Sequence, residues 1–448
     1  MDRSLERRAP GQLLRVLGVA FGLAAMVGGM VGQGILRTPG IVAGAVYTPE
    51  TVMLLWFLGG LITAVSALAY TEMACAIPCA GGPYDFVRRG FGELAGSVTG
   101  WAAWLVMVTA QSMLATVVGE FLHRLGVLEG WSTNALAVGV LAIFWVVNWT
   151  NTRLCGASQI LFSAIKGAAL IALVILLFSH SGPAAGPAPI DGGVIGIASL
   201  ALAMRVIIST YAGWQDIAFY CEEIERPERT VVKSMFSGIL AVAALYLLVN
   251  LAILHILTPA QMAKSDLPAA DAASVVMGVN GEFAITLFGV LSVAAITNLK
   301  MMASARIGFA LARGGMLPSA LTQVAEGGTP RVALTVSVLI AAAFAATGTY
   351  MTIIATNTAL SVFVVLIANA AAIGLRRREP GLQRPFRMPF YPLPALIALA
   401  INGALLGAFI FEDPVNSLAG LAVLVVVGLT YLGIDRARSG SIGLSSTG

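Results

Sequence analysis

The chain has 448 residues, 58% of them hydrophobic and only 11% charged, with a mean hydropathy of +0.89 and a formal net charge of +4. Soluble domains carry about 25% charged residues, so a soluble enzyme or nucleic-acid-binding protein is excluded and repeated membrane crossing is implied. One crossing takes about 20 mostly apolar residues, and twelve stretches qualify, at roughly 13–42, 51–78, 94–120, 134–150, 155–179, 194–221, 232–257, 283–312, 332–348, 352–375, 392–411 and 415–434.

The first span contains MVGGMVGQGILRTPG, residues 26 to 40, with five glycines and a proline. Glycine adds backbone freedom and proline removes a donor, so this run predicts a broken helix at mid-membrane depth. Unpaired backbone groups in hydrocarbon cost several kcal/mol each and persist only where protein or a polar cavity satisfies them, which makes the stretch a candidate binding site. The basic, then apolar start is too long in its apolar part for a signal peptide and lacks a small-residue cleavage site, so it reads as span one. Glu72, Cys75 and Cys79 follow near the inner end of span two. No histidine stands near the two thiols to complete a metal site, and the four cysteines, with Cys155 and Cys221, suggest no disulfide framework.

Lys166 lies in span five, about 16 Å in from Cys155 at 1.5 Å per residue. A lysine there is expensive to keep, and a buried amine can exchange its proton near neutrality. Span six reads LALAMRVIISTYAGWQDIAFYCEEIERPERTV, residues 200 to 231, with Ser209, Thr210, Ala212 and Gly213 as a second weak point. Five spans separate the two breaks, so the chain enters them from opposite sides, and paired interruptions of this kind point to a transporter site near the midplane. Arg37 and Arg205 lie about one turn from the two breaks; they either line an outer vestibule or snorkel outward or pair with Glu50 or Glu120. Lys300, in span eight, has no evident role in the sequence; Glu72, Glu222 and Glu223, near cytoplasmic span ends, are either solvated, paired with local arginines or part of an inner gate, and Arg306 and Arg313, seven apart on one helix face, are candidate partners. Of the 26 Lys and Arg, roughly 20 fall in segments placed inside when the N-terminus is cytoplasmic. Both termini are therefore expected in the cytoplasm, and the basic balance reflects topology without any nucleic acid partner.

Four motifs carry a family resemblance. GMVGQGILRTPG, AYTEMACAIPCAGGPYDFVRRGFGELAGSVTGW, YAGWQDIAFYCEEIERPER and NLKMMASARIGFALARGGMLP occur in this order, and together they resemble the amino acid, polyamine and organocation permeases. The resemblance implies an all-α integral membrane protein of twelve helices with the leucine transporter fold, a five-plus-five inverted repeat with discontinuous helices one and six. It divides the chain into a cytoplasmic tail (1–12), a first repeat (13–180), a second repeat (193–375), two further helices (391–435) and a second tail (436–448). It implies that a substrate carboxylate is held by backbone amides of Gly32, Gln33 and Gly34, a substrate ammonium by carbonyls near Met30, Ser209 and Ala212, and the substrate side chain by Trp214 and Gln215. It also implies proton coupling at Lys166, where sodium-coupled relatives bind an ion.

Gln33 and Ser209 depart from the family's usual residues, which leaves the substrate open. The implied function is secondary transport of amino acids at the cell membrane by alternating access, as proton symport. Exchange of one amino acid for another, polyamine transport, and nutrient sensing on the same scaffold stay open, as does the oligomeric state. No catalytic residue, organic cofactor or metal is expected, because the three histidines are scattered at outer span ends and no polar cluster assembles.

Overall fold

The computed structural model describes residues 13–32, 34–150, 152–180, 196–265, 267–347, 350–412 and 414–444. In chain order the helices are α1 (Val19–Met30), α2 (Gly34–Val46), α3 (Pro49–Ala76), α4 (Pro83–Phe91), α5 (Glu93–Arg124), α6 (Thr133–Thr150), α7 (Thr152–Ser179) and α8 (Ile197–Tyr211). A 3-10 segment (Trp214–Tyr220) follows, then α9 (Pro227–Ile256), α10 (Pro259–Ala263), α11 (Pro268–Met277), α12 (Val279–Arg313), α13 (Arg331–Thr347), α14 (Tyr350–Arg378), α15 (Leu393–Glu412) and α16 (Pro414–Leu444). Among the described residues seven helices, α3, α5, α7, α9, α12, α14 and α15, are long and apolar enough to cross a bilayer, and α1 with α2 makes an eighth candidate bent by 44°. The other expected spans fall on shorter or interrupted helices: α6, α8 with its 3-10 segment, α13, and the apolar part of α16. The chain is thus a multi-pass membrane protein.

Local chemistry sets the helix ends. Thr48 caps α3 by accepting from the Thr51 N–H at 3.4 Å, with Pro49 at the first helical position and Glu50 in the first turn. The short α4 starts at Pro83, carries Asp85 in its first turn and Arg88 and Arg89 in its last, which matches the helix dipole at both ends. One boundary differs from expectation: helix begins at Val19, not at Leu13. The arm before it is extended, with the Val16 and Leu17 N–H groups donating to Glu223 O at 3.0 Å and Glu225 N–H donating to Leu17 O at 2.9 Å. Pairing with the chain that follows the second break satisfies this backbone, so Leu13 and Leu17 are buried without being helical.

Helices α5 and α12 pack along one another at the centre; α1 lies against α7 and α9, and α2 against α8. Phe57, Ile143, Leu240 and Val425 project outward from α3, α6, α9 and α16. Exposed large apolar groups on separate helices suit a lipid-facing surface, where burial against water is not what holds helices together.

Candidate functional site

The two weak points in the sequence are adjacent breaks in space. Helix α1 stops at Met30, Val31 is extended, and α2 starts at Gly34. Helix α8 stops at Tyr211, and Gly213, with φ +113°, turns the chain into the 3-10 segment. A Cβ on Gly213 would overlap the Gly29 carbonyl oxygen, and one on Gly29 would lie 2.9 Å from the Gly213 oxygen. The breaks therefore touch backbone to backbone, which only glycine at both positions allows.

Side chains from other helices satisfy the carbonyls that the breaks release. Lys166, fully buried on α7, donates to Gly28 O at 2.9 Å and Val31 O at 2.6 Å. Ser292 of α12 donates to the same Val31 oxygen at 3.2 Å. Tyr246 of α9 donates to Met30 O at 2.8 Å, and its hydroxyl lies 3.2 Å from Thr210 O, so one phenol joins both interrupted helices. Thr38 of α2 and Thr210 of α8 share a hydroxyl hydrogen bond of 2.7 Å across the breaks. Tyr246, Ser292 and Thr38 are absent from the sequence-based set of site residues. The available signal for Tyr246 was a phenol midway along a mostly apolar span, which needs a partner there.

A cavity of about 440 Å³ opens against the breaks. Met30, Gly32, Gly34, Ser209, Ala212, Trp214 and Gln215 all line it. Gln33 lies outside the described residues. Trp214 is set by an edge-on contact with Tyr70, ring centroids 4.9 Å apart, and the Gly213 N–H donates to Gln215 Oε1 at 3.1 Å. Lys166 is not part of the lining; it stands behind the first break and acts on it through carbonyls. Of the two vestibule candidates, Arg205 lines the cavity, its guanidinium 5.7 Å from the Phe409 ring, whereas Arg37 is exposed and outside the lining. Ile401, Asn402, Leu405 and Phe409 of α15 also face the cavity, although the resemblance puts that helix outside the repeat. Lys300 acquires a place: it lines the cavity and its ammonium lies 2.5 Å from Asp216 Oδ2.

A paired-break cavity with these linings is what the permease resemblance implies, and comparison with known proteins decides the family. The family model described as amino acid permease matches residues 17–432. The chain belongs to the amino acid permease family. It is 26% identical over 443 residues to the serine/threonine exchanger SteT of Bacillus subtilis, covering 95% of this chain and 98% of the relative. It is 27% identical over 439 residues to large neutral amino acids transporter small subunit 2 of Mus musculus, covering 94% and 81%. It is also similar to Asc-type amino acid transporter 1 of Mus musculus, 25% identical over 439 residues, covering 94% and 82%.

On the side that the positive-inside count places in the cytoplasm, this permease family member has a layer of ion pairs. Glu223, buried, receives Arg306 Nε and Nη2 at 2.9 and 2.6 Å. Glu222 receives Arg313 in a two-pronged pair at 2.9 and 2.8 Å, and the Ala80 N–H at 3.1 Å. Glu72 receives Arg376 at 2.8 and 2.5 Å and the Met388 N–H at 2.7 Å, with Arg384 at 3.2 Å. Arg306 and Arg313, the candidate partners on one face of α12, take Glu223 and Glu222 across 83 and 91 positions, whereas Glu72 pairs not with a local arginine but with Arg376 and Arg384, 304 and 312 positions away.

Proposed function

We propose that this protein is a secondary transporter of amino acids across the cytoplasmic membrane, with both termini inside, working by alternating access at the paired breaks. The single observation that carries this reading is the cavity that joins the start of α2 to the end of α8. Its chemistry suits a zwitterion. The first N–H groups of α2, at and after Gly34, have no partner within their own helix and attract a carboxylate. The Met30 carbonyl keeps a second lone pair beside its bond to Tyr246, which an ammonium can take. The names of these relatives, an exchanger and two amino acid transporters, support the same reading.

Lys166 is proposed as the coupling group, with proton symport as the first reading. Its proton links α7 to the two carbonyls that end the first half-helix, so a neutral amine would hold that break less firmly and favour a different packing of α1. Exchange is the second reading, favoured by a specific observation: two carbonyls and a third group on Val31 O make a setting in which a permanently charged ammonium replaces an ion. The arrangement of the two interrupted helices as equivalent members of an inverted repeat belongs to the same proposal.

The test is uptake into proteoliposomes in sodium-free buffer, for the natural protein and Lys166→Ala. Symport is expected to give accumulation driven by an imposed inward proton gradient and lost in Lys166→Ala. Gradient-independent uptake, stimulated only by amino acid preloaded inside, establishes exchange. Binding without movement of any amino acid overturns transport in favour of sensing.

A further inference from the structure

The described lining of the cavity contains two cations, Lys300 and Arg205, and no carboxylate. Asp216 is fully buried and outside the lining, with its Oδ2 at 2.5 Å from the Lys300 ammonium and its Oδ1 making no hydrogen bond among the described residues. The Lys300 side chain retains 12% of its surface. One member of the pair thus faces the cavity and the other lies behind it. On α12, Ile296 lies one turn before Lys300 and packs on the first break, where a Cβ on Gly32 would come within 2.6 Å of its Cδ1. The rise between the two positions is about 6 Å, so Lys300 is within reach of the side chain of an amino acid seated at the break.

We propose that Lys300, positioned by Asp216, is the charge filter of this cavity, admitting amino acids with neutral side chains and rejecting lysine, arginine and polyamines. This rests on the amino acid reading above and names the substrate class within it. The physics has two parts. A cationic side chain reaches the ammonium of this pair first, with the Asp216 carboxylate farther off behind the wall, and so meets the like-charged pole of an oriented ion pair in a region of low dielectric. An acidic side chain gains less than a lone ammonium would give it, because Asp216 already takes one proton of Lys300 and repels a second carboxylate. A neutral group with an acceptor oxygen, a hydroxyl or an amide, can take a proton of the ammonium without displacing Asp216. Asp216 is a positioning residue: it aims the ammonium and sets the net charge that the cavity presents.

The experiment measures displacement of radiolabelled alanine from purified protein by norleucine against lysine, and by glutamine against glutamate, each pair similar in size and different in charge. Uptake into vesicles is measured in parallel. Within each protein the ratio of the two affinities cancels any general loss of binding. For the natural protein lysine is expected to bind about tenfold or more weaker than norleucine. Lys300→Met leaves Asp216 unneutralised and is expected to improve lysine relative to norleucine by about tenfold or more. Asp216→Asn leaves Lys300 unneutralised and is expected to improve glutamate relative to glutamine by a similar factor, with no gain for lysine. A pair that only ties the 3-10 segment to α12 lowers all affinities in parallel and leaves both ratios unchanged, and that result overturns the proposal. Where a single variant does not yield monodisperse protein, the charge-balanced double variant Lys300→Met with Asp216→Asn decides: the lysine ratio rises if Lys300 is the filter and stays put if it is not. Alanine binding without vesicle uptake overturns transport alone, and the ratios still decide the role of Lys300. Failure to bind any amino acid overturns both readings.

Discussion

At Gly213 two constraints coincide, and they explain why one residue matters so much at the site. Its φ of +113° disfavours any residue with a Cβ, and that Cβ would overlap the Gly29 oxygen. Strain of this kind costs about 1–3 kcal/mol before any clash. Gly213→Ala is therefore expected to abolish substrate binding and lower the melting temperature, as read by alanine displacement and a thermal unfolding scan. Gly167→Ala serves as its control, because a methyl there meets nothing within 4 Å and stability should hold or rise slightly. Tyr246 poses a subtler case. Tyr246→Phe keeps the ring between Trp56 and Tyr211, at centroid distances of 5.4 and 5.0 Å, but removes the hydroxyl that joins Met30 O and Thr210 O. Leaving buried acceptors unmet costs about 1–3 kcal/mol. The expected outcome is well-folded protein with apparent affinity weakened by roughly tenfold; unchanged affinity would place the hydroxyl outside the site's energetics.

Between elements, the ion pairs of Glu222 and Glu223 differ in burial, and burial decides what each contributes. The Glu223–Arg306 pair is nearly inaccessible, at 0% and 4% of side-chain surface, whereas Glu222–Arg313 stands at 17% and 43%. Breaking a buried pair strands a charge at a cost of about 3–5 kcal/mol, while an exposed pair contributes about 0–1 kcal/mol. Glu223→Gln is expected to reduce the yield of monodisperse protein sharply. Glu222→Gln should fold normally, and by freeing α12 from the chain after the second break it should speed thiol alkylation of buried Cys79, which lies next to the Ala80 N–H that Glu222 also accepts. An unchanged alkylation rate would show that this pair does not restrain the chain around Cys79 and Ala80.

For the whole molecule, the proposed orientation rests on charge at and beyond the helix ends. The arginines at 376, 377, 378, 384 and 387 cluster beyond the end of α14's apolar part, on the same side as Glu72 and its partners. A single introduced cysteine within residues 1–12 is expected to react with a membrane-impermeant maleimide in inside-out vesicles and not in intact cells. Labelling in intact cells would invert the orientation and exchange the inner and outer roles of the ion-pair layer and Arg205.

Composition and local order by themselves determined the membrane class, the charge asymmetry and both helix breaks, because each reflects a cost carried by neighbouring residues in one segment: apolar length, or the conformational freedom of glycine and proline. The eight residues at the breaks came instead from the family resemblance carried by the motifs there, and seven of them, from Met30 to Gln215, line the cavity. Tertiary structure alone decided where isolated polar groups found partners. Lys166 reaches carbonyls 135 and 138 positions away, Lys300 meets Asp216 across 84, and the arm before Val19 leaves the helical state to pair with Glu223 and Glu225. Such pairings depend on how one helix is rotated and shifted against another, and that register is set by packing across the molecule, which no local pattern of residues encodes.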